Sequence, residues 1–293
     1  LTQANNEKRQ SINFDLEKEL KEHQDIITTY SPDMLNPTDI TLETKGTKGT
    51  KNLGENCIFI CGLPRSGTTL IEQIVSSHSE VNAGDELFYL AEASQHILSQ
   101  QTVPSIAKKA FPFWASDLTN EHWQAIGEAY IALSADLAKD KRLTDKMPLN
   151  YKAIGLINKA LPKAKIIYCQ RDTEDLLWGC YKQMFGEGNL FTYNLNELKE
   201  MINVHQQVMF HWQALLGDQL FTVNYQQLIQ EQEDTTRALI NYLELDWQDA
   251  CLNFHENERT VHTLSNVQIR KPLSAKHSKQ WLNYQHLLSN YNG

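Results

Sequence analysis

The protein has 293 residues, of which 41% are hydrophobic, enough for one large domain or for one domain with an extension. Its formal charge of −9 and its lack of a Lys/Arg-rich block argue against nucleic-acid binding, although a local basic pocket can still bind one small anion. No apolar run approaches the roughly 18 residues of a membrane span, and no signal peptide begins the chain. If the chain is complete, these features predict a cytoplasmic protein; because it begins with Leu1, a lost leader or upstream domain stays open.

The cysteines and histidines predict no special chemistry. The five cysteines form no C-x-x-C pair, and three of them lie in apolar runs, which predicts reduced thiols in the core. The ten histidines lack the spacing of a metal-binding motif, so the sequence predicts no metal site.

Residues 1–50 predict a helical N-terminal extension followed by an exposed linker. The charged run SINFDLEKELKEHQDIITTY has the pattern of a helical arm or cap. The Thr-Lys-Gly repeat in ETKGTKGTKNLGEN is typical of a solvated loop, although its lysines could also hold an anion. The second predicted unit comprises residues 51–293.

From Cys57 onward, strand-like runs alternate with helical patterns. The runs CIFICGL, KIIYCQR and LFTVNY predict strands buried on both faces, and KRLTDK is a weaker candidate. Helical patterns lie between them, notably TTLIEQIVSSH, EHWQAIGEAYIALSADLAK and LNELKEMINVHQQVMFHWQALLG. The alternation predicts an α/β fold, with a P-loop-type parallel β-sheet flanked by helices on both faces. Ligands of such sheets bind beyond the carboxyl ends of the strands, where all the motifs below fall.

The stretch FICGLPRSGTTLIEQIV resembles a phosphate-binding loop without its lysine. Gly62, Gly67 and Thr69 match the pattern G-x-x-x-x-G-K-[ST], whereas Thr68 occupies the lysine position. A glycine turn between strand and helix directs backbone N–H groups at one point, and Arg65 adds a planar cation suited to an oxyanion. The missing lysine argues against a ligand with a triphosphate tail.

The segment CGLPRSGTTLIEQIVSSHSEV resembles the 5′-phosphosulfate loop of sulfotransferases that use 3′-phosphoadenosine 5′-phosphosulfate (PAPS). Within that superfamily it is most similar to tyrosylprotein sulfotransferases and to bacterial sulfotransferase domains found behind tetratricopeptide repeats. The resemblance extends from about Cys57 to Tyr284 and implies a sulfotransferase catalytic domain. It also implies PAPS as donor, adenosine 3′,5′-bisphosphate (PAP) as product, no metal, and an acceptor hydroxyl. The residues expected to hold the phosphosulfate are Arg65, Ser66, Gly67, Thr68 and Thr69.

The family binds the 3′-phosphate of the donor with an arginine at the end of a buried strand, a position that Arg171, at the end of KIIYCQR, matches. Eight residues later the family has a serine, where this chain has Gly179. The site could therefore be weaker, use water, or use Lys182 instead. An alternative is that Arg171 merely pairs with Asp172 or Asp175.

Other donor contacts follow from the same resemblance. Tyr225, in VNYQQL, would lie near the adenine or its phosphate, or would be an ordinary core tyrosine. The C-terminal segment TLSNVQIRKPLSAKHSKQWLNY resembles the family's donor-closing segment, in which Ser265 and either Arg270 or Lys271 should reach the 3′-phosphate. The spacing of Gln268 also matches, and Lys279 could replace the basic residue that the family has at Gln280.

The chemistry requires a base and a group that stabilises the leaving oxygen. Glu86 lies 21 residues after Arg65, which matches the catalytic glutamate of the tyrosylprotein branch. Asp85 is a rival base, or a cap of the following helix. Lys146, in LTDKMPLNY, matches the lysine beside the bridging oxygen; the alternative is a surface lysine paired with Asp145.

The acceptor is left open as a peptide tyrosine, a sugar or a small molecule, and dimerisation is also left open. Four aromatic residues between the base and the lysine would line the acceptor pocket or belong to the core: Phe111, Phe113, Trp114 and Trp123. Two other functions compete with the transferase. One is a P-loop kinase or nucleotide triphosphatase, and the other is a non-catalytic nucleotide-binding module on the same fold.

Overall fold

The sheet and its surroundings are seen in a computed structural model. It describes residues 1–35, 53–100, 106, 108–186, 188–259, 261, 269–274 and 279–289. In this part of the chain, five parallel strands form one sheet in the order β2-β3-β1-β4-β5. The strands are β1 (Cys57–Gly62), β2 (Val81–Ala83), β3 (Arg142–Lys146), β4 (Lys165–Gln170) and β5 (Leu220–Asn224).

The helices follow the predicted alternation, and three of the long ones begin at side chains that cap their first N–H groups. The helices of the described residues are α1 (Thr2–Gln10), α2 (Leu16–Thr29), α3 (Pro32–Leu35), α4 (Thr68–Val75), α5 (Tyr89–Ser99), α6 (Asn120–Ala138), α7 (Ile154–Ala160), α8 (Thr173–Tyr181), α9 (Leu195–Leu216), α10 (Tyr225–Gln230), α11 (Gln232–Tyr242) and α12 (Gln285–Ser289). Asp15, Thr119 and Asn194 accept backbone N–H bonds at the starts of α2, α6 and α9.

The core lies on both faces of the sheet, which explains the continuous apolar run of β1. Every residue of β1 is buried. Because successive side chains of a strand point to opposite faces, Phe59 and Cys61 pack with α2, α6 and α9. Ile58 and Ile60 pack with α4 and α11 on the other face. The prediction of a parallel sheet covered by helices on both sides is confirmed.

The N-terminal helices are part of the main core. Ile26 and Tyr30 are fully buried, and the Asn5 side chain donates to the carbonyl of Tyr181 at 2.8 Å. The helical nature of this extension is confirmed. The predicted Thr-Lys-Gly linker lies outside the described residues.

A buried histidine on α9 makes the stability of this fold depend on pH. His205 is 2% exposed, packs edge-on against Tyr151, and has no hydrogen-bond partner for either ring nitrogen among the described residues. Burial, together with the smaller effect of the His23 charge, lowers the pKa of His205 from 6.5 to about 3. In the unfolded chain His205 is protonated below about pH 6.5, whereas in the folded protein it is protonated only near pH 3. The free energy of unfolding therefore decreases as the pH falls from 6.5 towards 3.

We expect His205→Leu to match or exceed the wild type in stability near pH 8, because no hydrogen bond is lost with the ring. At pH 5 the wild type should have lost about 2 kcal/mol relative to the variant. Urea unfolding of both proteins at pH 8 and pH 5 measures the difference between their free energies of unfolding. The other titrating groups are the same in both proteins, so their contributions cancel in this difference. A difference between the two proteins that does not change with pH would contradict the prediction.

Candidate functional site

The turn from β1 into α4 forms a phosphate-type loop at the carboxyl edge of the sheet. Gly67 has a φ of 109°, in the left-handed region that favours glycine. A Cβ atom there would lie 2.8 Å from the ring of Tyr225. Ser66 is 2% exposed, and its hydroxyl has no hydrogen-bond partner within the described part of the chain. A buried unpaired hydroxyl in a loop of this shape is suited to a polar ligand.

Beside this loop lies an open pocket, whose empty space of about 360 Å³ includes space open to the solvent. It brings together side chains of the loop, of α8 and of the ends of β4 and β5. The lining residues are Arg65, Arg171, Asp175, Trp178, Gly179, Lys182, Tyr225 and Gln280. Three of these eight residues are cations and one is a carboxylate, so the pocket is suited to an anion.

The cations of the pocket repel one another. Burial lowers the pKa of Arg65, and the charge of Arg171 lowers it further. Burial also lowers the pKa of Lys182, as do the charges of Arg65 and Arg171, whereas Asp175 raises it. Since an anion in the pocket would relieve this repulsion, its binding is favoured there.

Arg171 connects the strand end to the loop. It donates to the carbonyl of Arg65 at 2.9 Å, and its guanidinium lies 4.1 Å from the centre of the Tyr225 ring. Its distance to the carboxylate of Asp175 is 3.5 Å, so the expected pairing exists alongside these contacts. Tyr225 therefore lies between Gly67 and Arg171 at the edge of the pocket.

The structure explains the glycine at the expected serine position. A Cβ at Gly179 would lie 3.2 Å from the Cβ of Arg65, so a serine would require Arg65 to move by a few tenths of an ångström. Lys182, one turn further along the chain, lies in the same pocket and donates to Gln280 at 3.1 Å. Lys182 therefore places a cation in the pocket close to Gly179.

Glu86 and Lys146 meet at the end of β3. The Lys146 side chain is fully buried, and its ammonium lies 2.7 Å from the carboxylate of Glu86, whose side chain is 46% exposed. Asp145 instead accepts from the Tyr130 hydroxyl at 3.1 Å and from Asn150 at 3.2 Å. The alternative of a surface lysine paired with its sequence neighbour is therefore wrong. Burial raises the pKa of Asp145 to about 7.

The structure does not bring every predicted residue to the pocket. Arg270 donates to the carbonyls of Asn257 and Arg259, and the Lys271 side chain is exposed. Lys279 reaches the edge of the pocket through its backbone, donating to Asp175 at 3.0 Å. Ser265 and Gln268 lie outside the described residues.

The aromatic residues between Glu86 and Lys146 divide between core and surface. Trp114 and Trp123 are buried and pack together with their ring centres 6.2 Å apart, and Phe111 packs on Trp114. Phe113 is 42% exposed. The tryptophans therefore belong to the core.

Sequence reasoning missed one buried acid of the site. Glu72 lies within the predicted helix TTLIEQIVSSH, and its side chain is fully buried and accepts from Thr144 of β3. The helical pattern of this segment carries no signal for burial of a carboxylate.

Among the described residues, no helix is both long enough and apolar enough to span a membrane.

The chain shares 29% identity over 293 residues with an uncharacterised protein of Aquifex aeolicus, covering 99% of this chain and 37% of that protein. It shares 25% identity over 238 residues with the protein-tyrosine sulfotransferase of Drosophila melanogaster, covering 77% of this chain and 46% of that protein. The chain thus spans less than half the length of these two relatives.

The fold resembles that of the sulfotransferase domain of an olefin synthase from Synechococcus PCC 7002. The TM-score is 0.55 at 17% identity, and the match covers 81% of this chain and 94% of that domain. A sequence model of the sulfotransferase family matches residues 57–249, which contain the loop, Glu86, Lys146, Arg171 and Tyr225. The chain belongs to the sulfotransferase family.

Proposed function

We propose that this protein transfers a sulfuryl group from PAPS to an acceptor hydroxyl. The observation that carries the proposal is the cluster of Arg65, Arg171 and Lys182 in one pocket beside a phosphate loop without its lysine. PAPS has two separate anionic groups, a 5′-phosphosulfate and a 3′-phosphate. A loop and an adjacent cationic pocket offer one site for each of them.

The residues present fit such a donor. Backbone N–H groups at the start of α4, the hydroxyls of Thr68 and Thr69, and the unpaired hydroxyl of Ser66 would hold the phosphosulfate. Arg171 and Lys182 would hold the 3′-phosphate, since both line the pocket. The ring of Tyr225, packed on the guanidinium of Arg171, would fix the orientation of that cation.

Glu86 and Lys146 would carry out the chemistry. When the acceptor oxygen bonds to sulfur, its proton passes to the exposed carboxylate of Glu86. As the bond from sulfur to the bridging phosphate oxygen breaks, the buried ammonium of Lys146 offsets the negative charge on that oxygen. The 2.7 Å contact between the two side chains keeps both groups at the same strand end.

The acceptor classes to be tested are a peptide tyrosine, a sugar and a small hydroxylated molecule. The Drosophila relative is named as a protein-tyrosine sulfotransferase, which makes a tyrosine peptide the first acceptor to assay. Its 25% identity supports the class of reaction, and the choice of acceptor rests on the assay.

Calorimetric titration with PAP, ADP and ATP tests the donor. We expect the wild type to prefer PAP and Arg171→Ala to lose about 10- to 100-fold in affinity for it, because a charge-assisted hydrogen bond is lost. Lys165→Ala is the matched control, since Lys165 lies at the opposite end of the same strand and pairs with Glu244 at 2.6 Å. Its affinity for PAP should equal that of the wild type.

Two other outcomes would favour the competing functions. If the protein preferred ATP to PAP and magnesium strengthened that preference, the proposed function would be a P-loop kinase or nucleotide triphosphatase instead of a sulfotransferase. PAP binding without any transfer from radiolabelled PAPS to the three acceptor classes would favour a non-catalytic nucleotide-binding module.

A further inference from the structure

A buried carboxylate lies directly behind the turn that carries Glu86. Glu72, on α4, is fully buried. One of its oxygens accepts from the hydroxyl of Thr144 at 2.8 Å and from the backbone N–H of Asp85 at 3.1 Å. Its other oxygen accepts from Arg259 at 3.0 Å. The phosphate-loop helix is thereby bonded both to β3 and to the residue before Glu86.

Arg259 completes this cluster from the opposite direction. Besides Glu72, it contacts the carboxylate of Asp85 at 3.1 Å and the side-chain oxygen of Gln73 at 2.9 Å. Its side chain is 15% exposed. Arg270 donates to the backbone carbonyls of Asn257 and of Arg259 itself, so the segment carrying Arg259 is also held.

The turn is also held on the other side of Glu86. The backbone N–H of Leu87 is hydrogen-bonded to the buried carboxyl of Asp145. The backbone N–H of Lys146 donates to the carbonyl of Asp85 at 2.8 Å. Two buried acids on different elements thus receive the N–H groups of the residues before and after Glu86.

This arrangement stabilises a backbone that would otherwise be unfavourable. Asp85 has a φ of 55°, which for a residue other than glycine costs of order 1 kcal/mol or more. Its N–H, its carbonyl and its carboxylate all have partners, namely Glu72, Lys146 and Arg259. Burial raises the pKa of Glu72, whereas the charges of Arg259 and Lys146 oppose that effect.

We propose that Glu72 and Arg259 are positioning residues that fix the turn at residues 84–87, so that Glu86 stays in contact with Lys146 at the reacting centre. This proposal rests on the proposed function of Glu86 as the base. Neither residue needs to touch donor or acceptor for this role, because both act through the backbone and carboxylate of Asp85.

The test is Glu72→Gln, made both in the wild type and in Glu86→Gln. In the wild-type background we expect kcat to fall roughly 10- to 100-fold, with the affinity for PAP unchanged, because a small displacement of the base slows the transfer. In the Glu86→Gln background the same change should leave kcat unaltered, since the group that it positions is already absent. Amide exchange of the turn should become faster in Glu72→Gln.

Arg259→Met is the second variant and should reproduce the loss of kcat. The matched control is Glu197→Gln, which breaks an Arg–Glu pair of 2.8 Å between α1 and α9 and should leave kcat unchanged. An equal loss of kcat from Glu72→Gln in both backgrounds, or no loss in the wild type, would overturn the positioning role. If the wild type transferred nothing from PAPS, the proposed function would fail first, and the positioning role with it.

Discussion

Replacing Glu86 with glutamine is expected to lower kcat for sulfuryl transfer by about 10²- to 10⁴-fold, the usual contribution of a positioned base. The amide cannot accept the proton of the acceptor hydroxyl, and the ion pair of 2.7 Å with Lys146 is lost. Because the Glu86 side chain is 46% exposed and is not among the residues that line the cationic pocket, the fold and the affinity for PAP should be retained. Transfer from radiolabelled PAPS under saturating donor measures the effect.

Glu92→Gln is the control for this substitution. Glu92 is exposed on α5, a few residues further along the chain. Its replacement by glutamine therefore removes the same charge without removing a partner of Lys146. Its kcat should equal that of the wild type. Full activity of Glu86→Gln would assign the proton transfer to another group.

Replacing Lys146 with methionine is expected to lower kcat by about 10²- to 10³-fold, comparable to the loss of one preorganised donor at a reacting oxygen. The methionine occupies a similar volume in a position with no exposed area, so the protein should fold. The affinity for PAP should fall less than kcat does. The oxygen that Lys146 would contact belongs to the 5′-phosphate of PAP, but the cations that line the pocket are retained. Steady-state transfer and calorimetry with PAP separate the two effects.

Lys152→Met controls for the loss of a partly buried cation. Lys152 pairs with Glu19 and Glu22 of α2 at 2.8 and 2.9 Å, so its removal affects the N-terminal helices. We expect lower stability with an unchanged kcat for this variant. A Lys146→Met protein as active as the wild type would remove the lysine from the chemistry.

The strands of the sheet were predictable to different degrees for a physical reason. β1 and β4 are buried on both faces, so their sequences are continuous apolar runs that predict strands directly. β2 has only three residues, Val81–Ala83, and was not predicted. Three residues pairing along one edge of β3 are too few to produce a recognisable pattern.

The order of the strands could not be obtained from the sequence alone. Each strand reads as a separate local pattern, whereas the order depends on which strands pair across the connecting helices. The carboxyl edge was nevertheless predictable as the location of the site, because parallel strands all end there.

The phosphate loop was determined by the sequence itself. Gly67 can adopt its left-handed backbone and approach Tyr225 because it has no side chain, and the strand before it and the helix after it are local patterns. Arg65 and Arg171 line one pocket at the sheet edge, because Arg65 lies in the loop and Arg171 directly follows a predicted strand.

Only the tertiary structure decided which charged groups become partners. Lys146 bonds to Glu86 rather than to the adjacent Asp145, because neighbouring side chains of a strand point to opposite faces. Glu72 pairs with Arg259, which lies 187 positions away in the chain. The sequence by itself therefore determined the loop, the main strands and the residue types of the site. The pairing of its charges depended on contacts distant in the chain, for which local patterns carry no signal.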